Sequence, residues 1–219
     1  MSANQATVFV VDDDEAVRRS LARLLRSAGW SVEAFPSARE FLERPPHFGT
    51  GCVLLDVQMP EMTGPELHRQ MSQRGLTLPV IFLTGHGDVP TSVQAMKKGA
   101  MDFLLKPVDD GVLLQTIDKA VARHASDINN QCERQEIEAR VSRLSSRERE
   151  VMEFVVRGRL NKQIAANLGI SEKTVKVHRG RVMEKMEVRS VAELVHLCET
   201  AGILAPQPPS DQAGPGPAR

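Results

Sequence analysis

Four apolar runs in this chain each end on a residue that can do chemistry. Thr7 to Val11 runs into Asp12-Asp13, Cys52 to Leu55 into Asp56, Pro79 to Leu83 into Thr84, and Met101 to Leu105 into Lys106. Short β-branched and aliphatic runs of this kind read as buried strands. Parallel strands end on one side of their sheet, so these groups converge in one crevice, the place where open α/β sheets bind ligands. A carboxylate there can act as a nucleophile and carry an aspartyl phosphate. For Asp56 taken alone, a helix cap is the other reading. Asp12, Asp13 and Asp56 together repel one another unless a cation sits among them. A hard ion such as Mg2+, bound through one or two carboxylates and phosphate oxygens, meets that need.

The elements that position these groups alternate. Val17, Leu21, Leu24, Leu25 and Ala28 recur at helical spacing after the first strand and stop at Gly29. Val32 to Phe35 predicts a second strand and Ser37 to Leu42 a second helix, with Pro45-Pro46 as a loop. Leu67 and Met71 mark a third helix, Val93, Met96 and Lys97 a fourth, and Val108 to Arg123 a fifth. Five strands alternating with five helices predict a parallel sheet covered on both faces.

Charge is uneven along the chain. Lys+Arg and Asp+Glu both number 28, yet residues 1–124 carry a net charge of −2 and residues 157–189 one of +6. One basic segment in a neutral chain points to a polyanion at that segment, a solvated face being the alternative. Cys52, Cys132 and Cys198 have no metal-ligand spacing and fit a reduced compartment. No run approaches the ~18 apolar residues of a membrane span, and no secretory pattern opens the chain. The expectation is a soluble, cytoplasmic protein with no membrane partner.

The residues of the first 124 positions resemble the receiver domain of two-component response regulators, a flavodoxin-like (βα)5 fold. The match lies in the acidic pair after strand one, Asp-x-x-Met-Pro-x-Met-x-Gly from Asp56 to Gly64, the strand-ending Thr84, and Lys106-Pro107. That resemblance implies Mg2+ held by Asp12, Asp13, Asp56 and the carbonyl of Gln58. It implies a phosphoryl group taken by Asp56 from a sensor histidine kinase, and Thr84 and Lys106 on the phosphoryl oxygens. Phe103 stands at the family's rotating aromatic, with Thr84 as the other switch residue; core packing is the alternative for Phe103.

Residues 125–143 are polar and lack Pro and Gly, which predicts a helical linker; Ile128, Ile137, Val141 and Leu144 are too sparse to specify a coiled coil. Ser145 or Ser146 with Glu148 offers a helix start, and Val151, Phe154 and Val155 give that helix an apolar stripe. Asn161 to Leu168 predicts a short second helix, and Gly169-Ile170 a turn. Ser171 caps a third, whose inner face carries Val175, His178, Val182 and Met186. A lone His on such a face reads as a packed, hydrogen-bonded residue rather than a metal ligand. Short helix, glycine turn and cationic helix form a helix-turn-helix, whose second helix enters the major groove. Lys173, Thr174, Lys176, Val177, Arg181 and Lys185 are the candidate DNA contacts. A last helix from Ser190 to Ala201 carries one apolar row of Val191, Val195 and Cys198 and a second of Leu194, Leu197 and Ala201. The second row is the candidate dimerisation face, a single broad core face being the alternative. Residues 206–219, with five prolines and two glycines, predict a disordered tail.

Residues 144–205 resemble the four-helix LuxR-type DNA-binding domain through Ser-x-Arg-Glu-x-Glu-Val, Asn-Lys-Gln-Ile-Ala, Leu-Gly-Ile-Ser and Thr-Val-Lys-Val-His. With the receiver, the chain resembles the NarL/FixJ response regulators, nearer the FixJ branch by Thr84-Gly-His-Gly-Asp88. Gly180 departs from that pattern, since relatives often carry a side chain there that reaches DNA. The resemblance implies a non-enzymatic regulator that dimerises on phosphorylation and binds promoter DNA, with RNA polymerase as a further partner. A phosphorylation-independent DNA-binding regulator is one alternative. The other, a Mg2+-dependent aspartyl-phosphate phosphohydrolase, conflicts with Gln58, where such enzymes resemble one another in carrying an acid-base Asp.

Overall fold

The structure is a computed structural model that describes residues 6–85 and 102–203. The chain divides into two units, residues 1–129 and 130–219. In the first, β1 (Thr7–Val11), α1 (Glu15–Ser27), β2 (Ser31–Phe35), α2 (Ala38–Glu43), β3 (Gly51–Asp56), α3 (Gly64–Gln73), β4 (Val80–Thr84) and β5 (Asp102–Leu105) precede α4 (Asp110–Ser142), which ends in the second unit. The five strands form one parallel sheet in the order β2-β1-β3-β4-β5.

Strand alternation sorts the apolar runs into two cores. Phe9, Val11, Val53, Leu55, Val80 and Phe82 face one side, against Phe41 of α2 and Leu67 and Met71 of α3. Val8, Val10, Cys52, Leu54, Ile81 and Leu83 face the other, against Leu25 of α1 and Leu113, Ile117 and Ala120 of α4. Burial on both faces is why these strands read as unbroken apolar runs. Two glycines fit close approaches: a Cβ at Gly51 would strike the carbonyl of Thr7, and one at Gly64 the carbonyl of Asp56. The expected helix around Val93, Met96 and Lys97, Met101, most of the Thr84–Asp88 motif and the tail from 206 lie outside the described residues.

The second unit holds α5 (Ser146–Val156), α6 (Asn161–Leu168), α7 (Glu172–Lys185) and α8 (Val191–Thr200). Its core joins Val151, Met152 and Val155 of α5, Ile164 of α6, Val175 and Val182 of α7, and Leu194 and Cys198 of α8. Ile137 and Val141 at the end of α4 are buried in the same core. The segment read as a linker, 125–143, is therefore helical, but its last turns belong to the helical unit. Of its sparse apolar residues, Ile137 and Val141 pack there, with Leu144 just beyond them.

Candidate phosphoryl-acceptor site and DNA-reading helix

The run of acids after β1 splits into distinct jobs. Asp12 is buried and turns its carboxylate inward; its Oδ1 accepts the Asp14 N–H at 2.9 Å. Asp13 is exposed at the rim. Asp14 caps α1 by accepting the N–H groups of Ala16 and Val17, and Glu15 pairs with Arg19 one turn on. Arg18, which the sequence did not single out, donates to the Asp12 carbonyl at 2.6 Å and holds the turn.

Asp56 ends β3 with 7% of its surface exposed. Its Oδ2 accepts the Gln58 N–H at 2.7 Å and its Oδ1 accepts Lys106 Nζ at 2.6 Å. The same Nζ donates to Asp12 Oδ2 at 2.6 Å. Thus the cation that stands between the two buried carboxylates here is the Lys106 ammonium. Burial pushes the Asp56 pKa up; Lys106 and the Gln58 N–H pull against that, Asp12 adds to it, and the carboxyl stays above its ordinary value. Burial works against the Lys106 charge, but its bonds to Asp12 and Asp56 outweigh it and raise the pKa. Thr84 is buried at the end of β4, and its carbonyl accepts the Lys106 N–H at 2.7 Å. Lys106–Pro107 is cis.

The Asp-x-x-Met-Pro-x-Met-x-Gly run acquires a physical reading. Met59 packs into the core, Glu61 takes a left-handed φ of 65° in the turn, and Gly64 N–H donates to the Val57 carbonyl at 3.0 Å. Gly64 thereby starts α3 directly against the Asp56 backbone, where no side chain fits. Phe103 is half-buried with its ring 6.2 Å from that of Phe82, so it packs on the core next to the pocket. Asp12, Asp56 and Lys106 thus meet at the strand ends, with Thr84 joined to Lys106 through its backbone carbonyl. Among the described residues, no group of three or more acidic, His or Cys side chains forms a ready metal cage.

In the second unit Ser171 caps α7 by accepting the Thr174 N–H at 3.1 Å. Val175, Val182 and Met186 are buried beneath the helix, while Lys173, Thr174, Lys176, Val177 and Arg181 are exposed along it. Gly169, with φ of 64°, makes the turn from α6. Arg179 donates to Asn161 Oδ1 at 2.7 Å and ties the two helices together.

Three expectations are corrected. Lys185 is not available for phosphate: its Nζ donates to Glu148 Oε2 at 2.6 Å and to the Arg143 carbonyl at 3.1 Å. Glu148 also accepts the Ser145 N–H at 2.9 Å, completing a capping box. Its carboxyl is covered yet lies near the unit's surface, so Lys185 and Ser145 outweigh burial and pull its pKa down to about 2. Leu194 and Ala201, with Leu197 half-covered beside them, pack in the core together with Cys198. The last helix therefore has one broad core face, and the row expected to meet a partner chain is consumed by its own unit. His178 is half-buried, but its Nδ1 has no hydrogen-bond partner, so it is packed without the expected bond.

Residues 8–118 match the family described as "Response regulator receiver domain", and residues 142–198 match "Bacterial regulatory proteins, luxR family". Nodulation protein W of Bradyrhizobium diazoefficiens is 44% identical over 93% of this chain and 90% of its own. The transcriptional regulatory protein FixJ of Azorhizobium caulinodans is 45% identical over 95% of this chain and 97% of its own. Among solved structures, the response regulator StyR superposes with a TM-score of 0.79 at 46% identity, over 89% of this chain and 98% of that one. Full-length FixJ from B. japonicum gives 0.57 at 43% identity, over 93% and 100%. With a receiver sheet, its strand-end pocket and a LuxR-type helical unit in one polypeptide, the chain belongs to the NarL/FixJ family of two-component transcriptional regulators.

Proposed function

We propose that Asp56 is the phosphoryl acceptor and that its occupancy sets DNA binding by α7. The observation that carries this is the buried Asp56 carboxylate at the end of β3, held by Lys106 Nζ and the Gln58 N–H and raised in pKa by burial. These bonds fix the carboxylate for in-line attack, in which an O–P bond forms as the P–N bond of a kinase phosphohistidine breaks. Phosphoryl transfer needs chiefly such positioning and charge neutralisation. Lys106 is placed to follow the new phosphoryl oxygens, and Thr84 lies at the neighbouring strand end. Phe103 beside them is the candidate switch aromatic.

Receiver domains as a family use Mg2+ at this site. The buried pair fits it: Asp12 and Asp56 offer hard oxygens and their two charges exceed the single Lys106 charge, with Asp13 and the Gln58 carbonyl as the further ligands that the family resemblance implies. Bound Mg2+ would neutralise charge on the incoming phosphoryl oxygens. The chain's own part is to hold Asp12 through Arg18 and the Asp14 N–H, and to leave Asp13 exposed at the rim.

Lys176 and Val177 are assigned to base edges, with Lys173, Thr174 and Arg181 on phosphates. Dimerisation on phosphorylation is assigned to the receiver, on the side of the edge strand β5 where Leu105 is exposed, rather than to α8. The phosphoryl group is accepted once per chain rather than turned over. RNA polymerase as a partner and a cytoplasmic setting complete the reading; no helix among the described residues is long and apolar enough to cross a membrane. Size measurement by light scattering, with and without beryllofluoride, tests the switch. A monomer that becomes a dimer with tighter DNA binding supports it, and a dimer of unchanged affinity in both states overturns it.

A further inference from the structure

Glu187 stands where a helix end has least use for a glutamate. It follows the last turn of α7 with φ of 57°, in the left-handed region that favours Gly or Asn. Its charge also meets the negative end of the α7 dipole. Both local preferences oppose this residue, so its carboxylate must act elsewhere. Arg140 Nη2 lies 3.4 Å from Oε2 and Arg143 Nη1 lies 3.3 Å from Oε1. Arg140 also donates to the Met186 carbonyl at 3.5 Å, and Lys185 donates to the Arg143 carbonyl at 3.1 Å. Three consecutive residues at the base of α7 are therefore bonded to the end of α4 and the turn after it. Beneath them Ile137 and Val141 share a core with Val182, Met186 and Val188.

We propose that Glu187 is a positioning residue for DNA recognition. With Arg140 and Arg143 it locks the end of α4 to the C-terminal end of α7, and so sets how the reading helix is held within the helical unit. This rests on the assignment of α7 to DNA. The ion pairs are partly solvated and individually weak; what gives them purpose is that they hold a backbone conformation and a charge that the helix end alone would reject.

The test uses the full chain and a fluorescein-labelled duplex selected by the wild-type protein from a random library. Glu187→Gly removes the carboxylate while giving the backbone its preferred residue. The thermal midpoint should hold or rise, while affinity for the selected duplex falls about fivefold, on the order of two weak ion pairs. Discrimination against a scrambled duplex should narrow by the same factor. The salt slope should not change, because no phosphate contact is lost. Arg140→Gln with Arg143→Gln should reproduce the loss, and adding Glu187→Gly should cost nothing more. Unchanged affinity in Glu187→Gly, a midpoint falling in step with affinity, or additive losses would each overturn the proposal. Lys176→Ala separates the underlying assignment: if it leaves affinity and discrimination intact, α7 does not read DNA.

Discussion

Lys106 and Lys185 make the same contact, and their partners respond in opposite ways. Each ammonium stands 2.6 Å from a buried carboxylate, Asp56 in the receiver and Glu148 in the helical unit. Asp56 is nevertheless raised above its ordinary value by burial, with Asp12 adding to the effect. Glu148 is held at about 2 by Lys185 and the Ser145 N–H. Each acid also accepts a backbone N–H, Asp56 from Gln58 and Glu148 from Ser145; the difference is that burial weighs more on Asp56, which shares its lysine with Asp12. An ion pair alone therefore does not tell a structural acid from a reactive one. A carboxylate left incompletely compensated gains from a new cation or from esterification; a completed one has nothing to gain.

The largest expected effect tests the completed pair. Glu148→Ala removes the cap bond at Ser145 and leaves Lys185 without its carboxylate. It should destabilise the helical unit by about 2 to 3 kcal/mol in urea unfolding. A loss below about 0.5 kcal/mol would mean that the two acids do not differ in the way described. At the receiver pocket, Lys106→Met leaves Asp12 and Asp56 facing each other. A loss of about 1 to 2 kcal/mol is expected at neutral pH, recovered in part by millimolar Mg2+. A Lys106→Met protein indifferent to Mg2+ would remove the carboxylates from the metal reading.

Acid should separate the two sites by sign. Glu148 has a folded pKa below its unfolded one, so its stabilisation is present above about pH 4.5 and disappears as pH falls toward 2. Asp56 is shifted the other way, so protonation relieves a cost instead of removing a benefit. Unfolding of wild type against Glu148→Gln should converge between pH 4.5 and 2, and wild type against Asp56→Asn should not lose stabilisation there. Parallel curves for both pairs would contradict the comparison.

Gly64 and Gly180 carry the contrast into the backbone. Gly64→Ala drives a methyl into the Asp56 carbonyl and should cost about 1 to 3 kcal/mol while slowing phosphorylation. Gly180 lies in α7 with open space around it, so Gly180→Ala should stabilise the helical unit by up to about 1 kcal/mol. An equal effect at both positions in differential scanning calorimetry would mean that the Gly64 approach is not obligatory.

The receiver was legible because β1, β3 and β4 are buried on both faces and interrupted only at the chemical ends. Asp12, Asp56, Thr84 and Lys106 stood out as polar breaks in apolar runs, and the sheet brings all four together. The helical unit was harder to read, because its lysines and arginines look alike in sequence. Only packing shows that Lys185 turns inward to Glu148 while Lys176 stays exposed. Two rows on α8 could be drawn equally well, and neither showed that the core takes both Leu194 and Cys198. Arg18 and Glu187 were missed because their partners are, respectively, a backbone carbonyl and arginines more than forty residues away. For Glu187 a signal did exist: an acid at a helix stop, where Gly or Asn is expected.

The central claim, that Asp56 is the acid left open to chemistry, is tested most directly by incubating the full chain with acetyl phosphate and Mg2+ and mapping the adduct by mass spectrometry. The account predicts a single phosphoryl group on Asp56 in the wild type, none in Asp56→Asn, and none on Glu148 in either. A phosphoryl group that persists in Asp56→Asn, or no modification of the wild type, would contradict it.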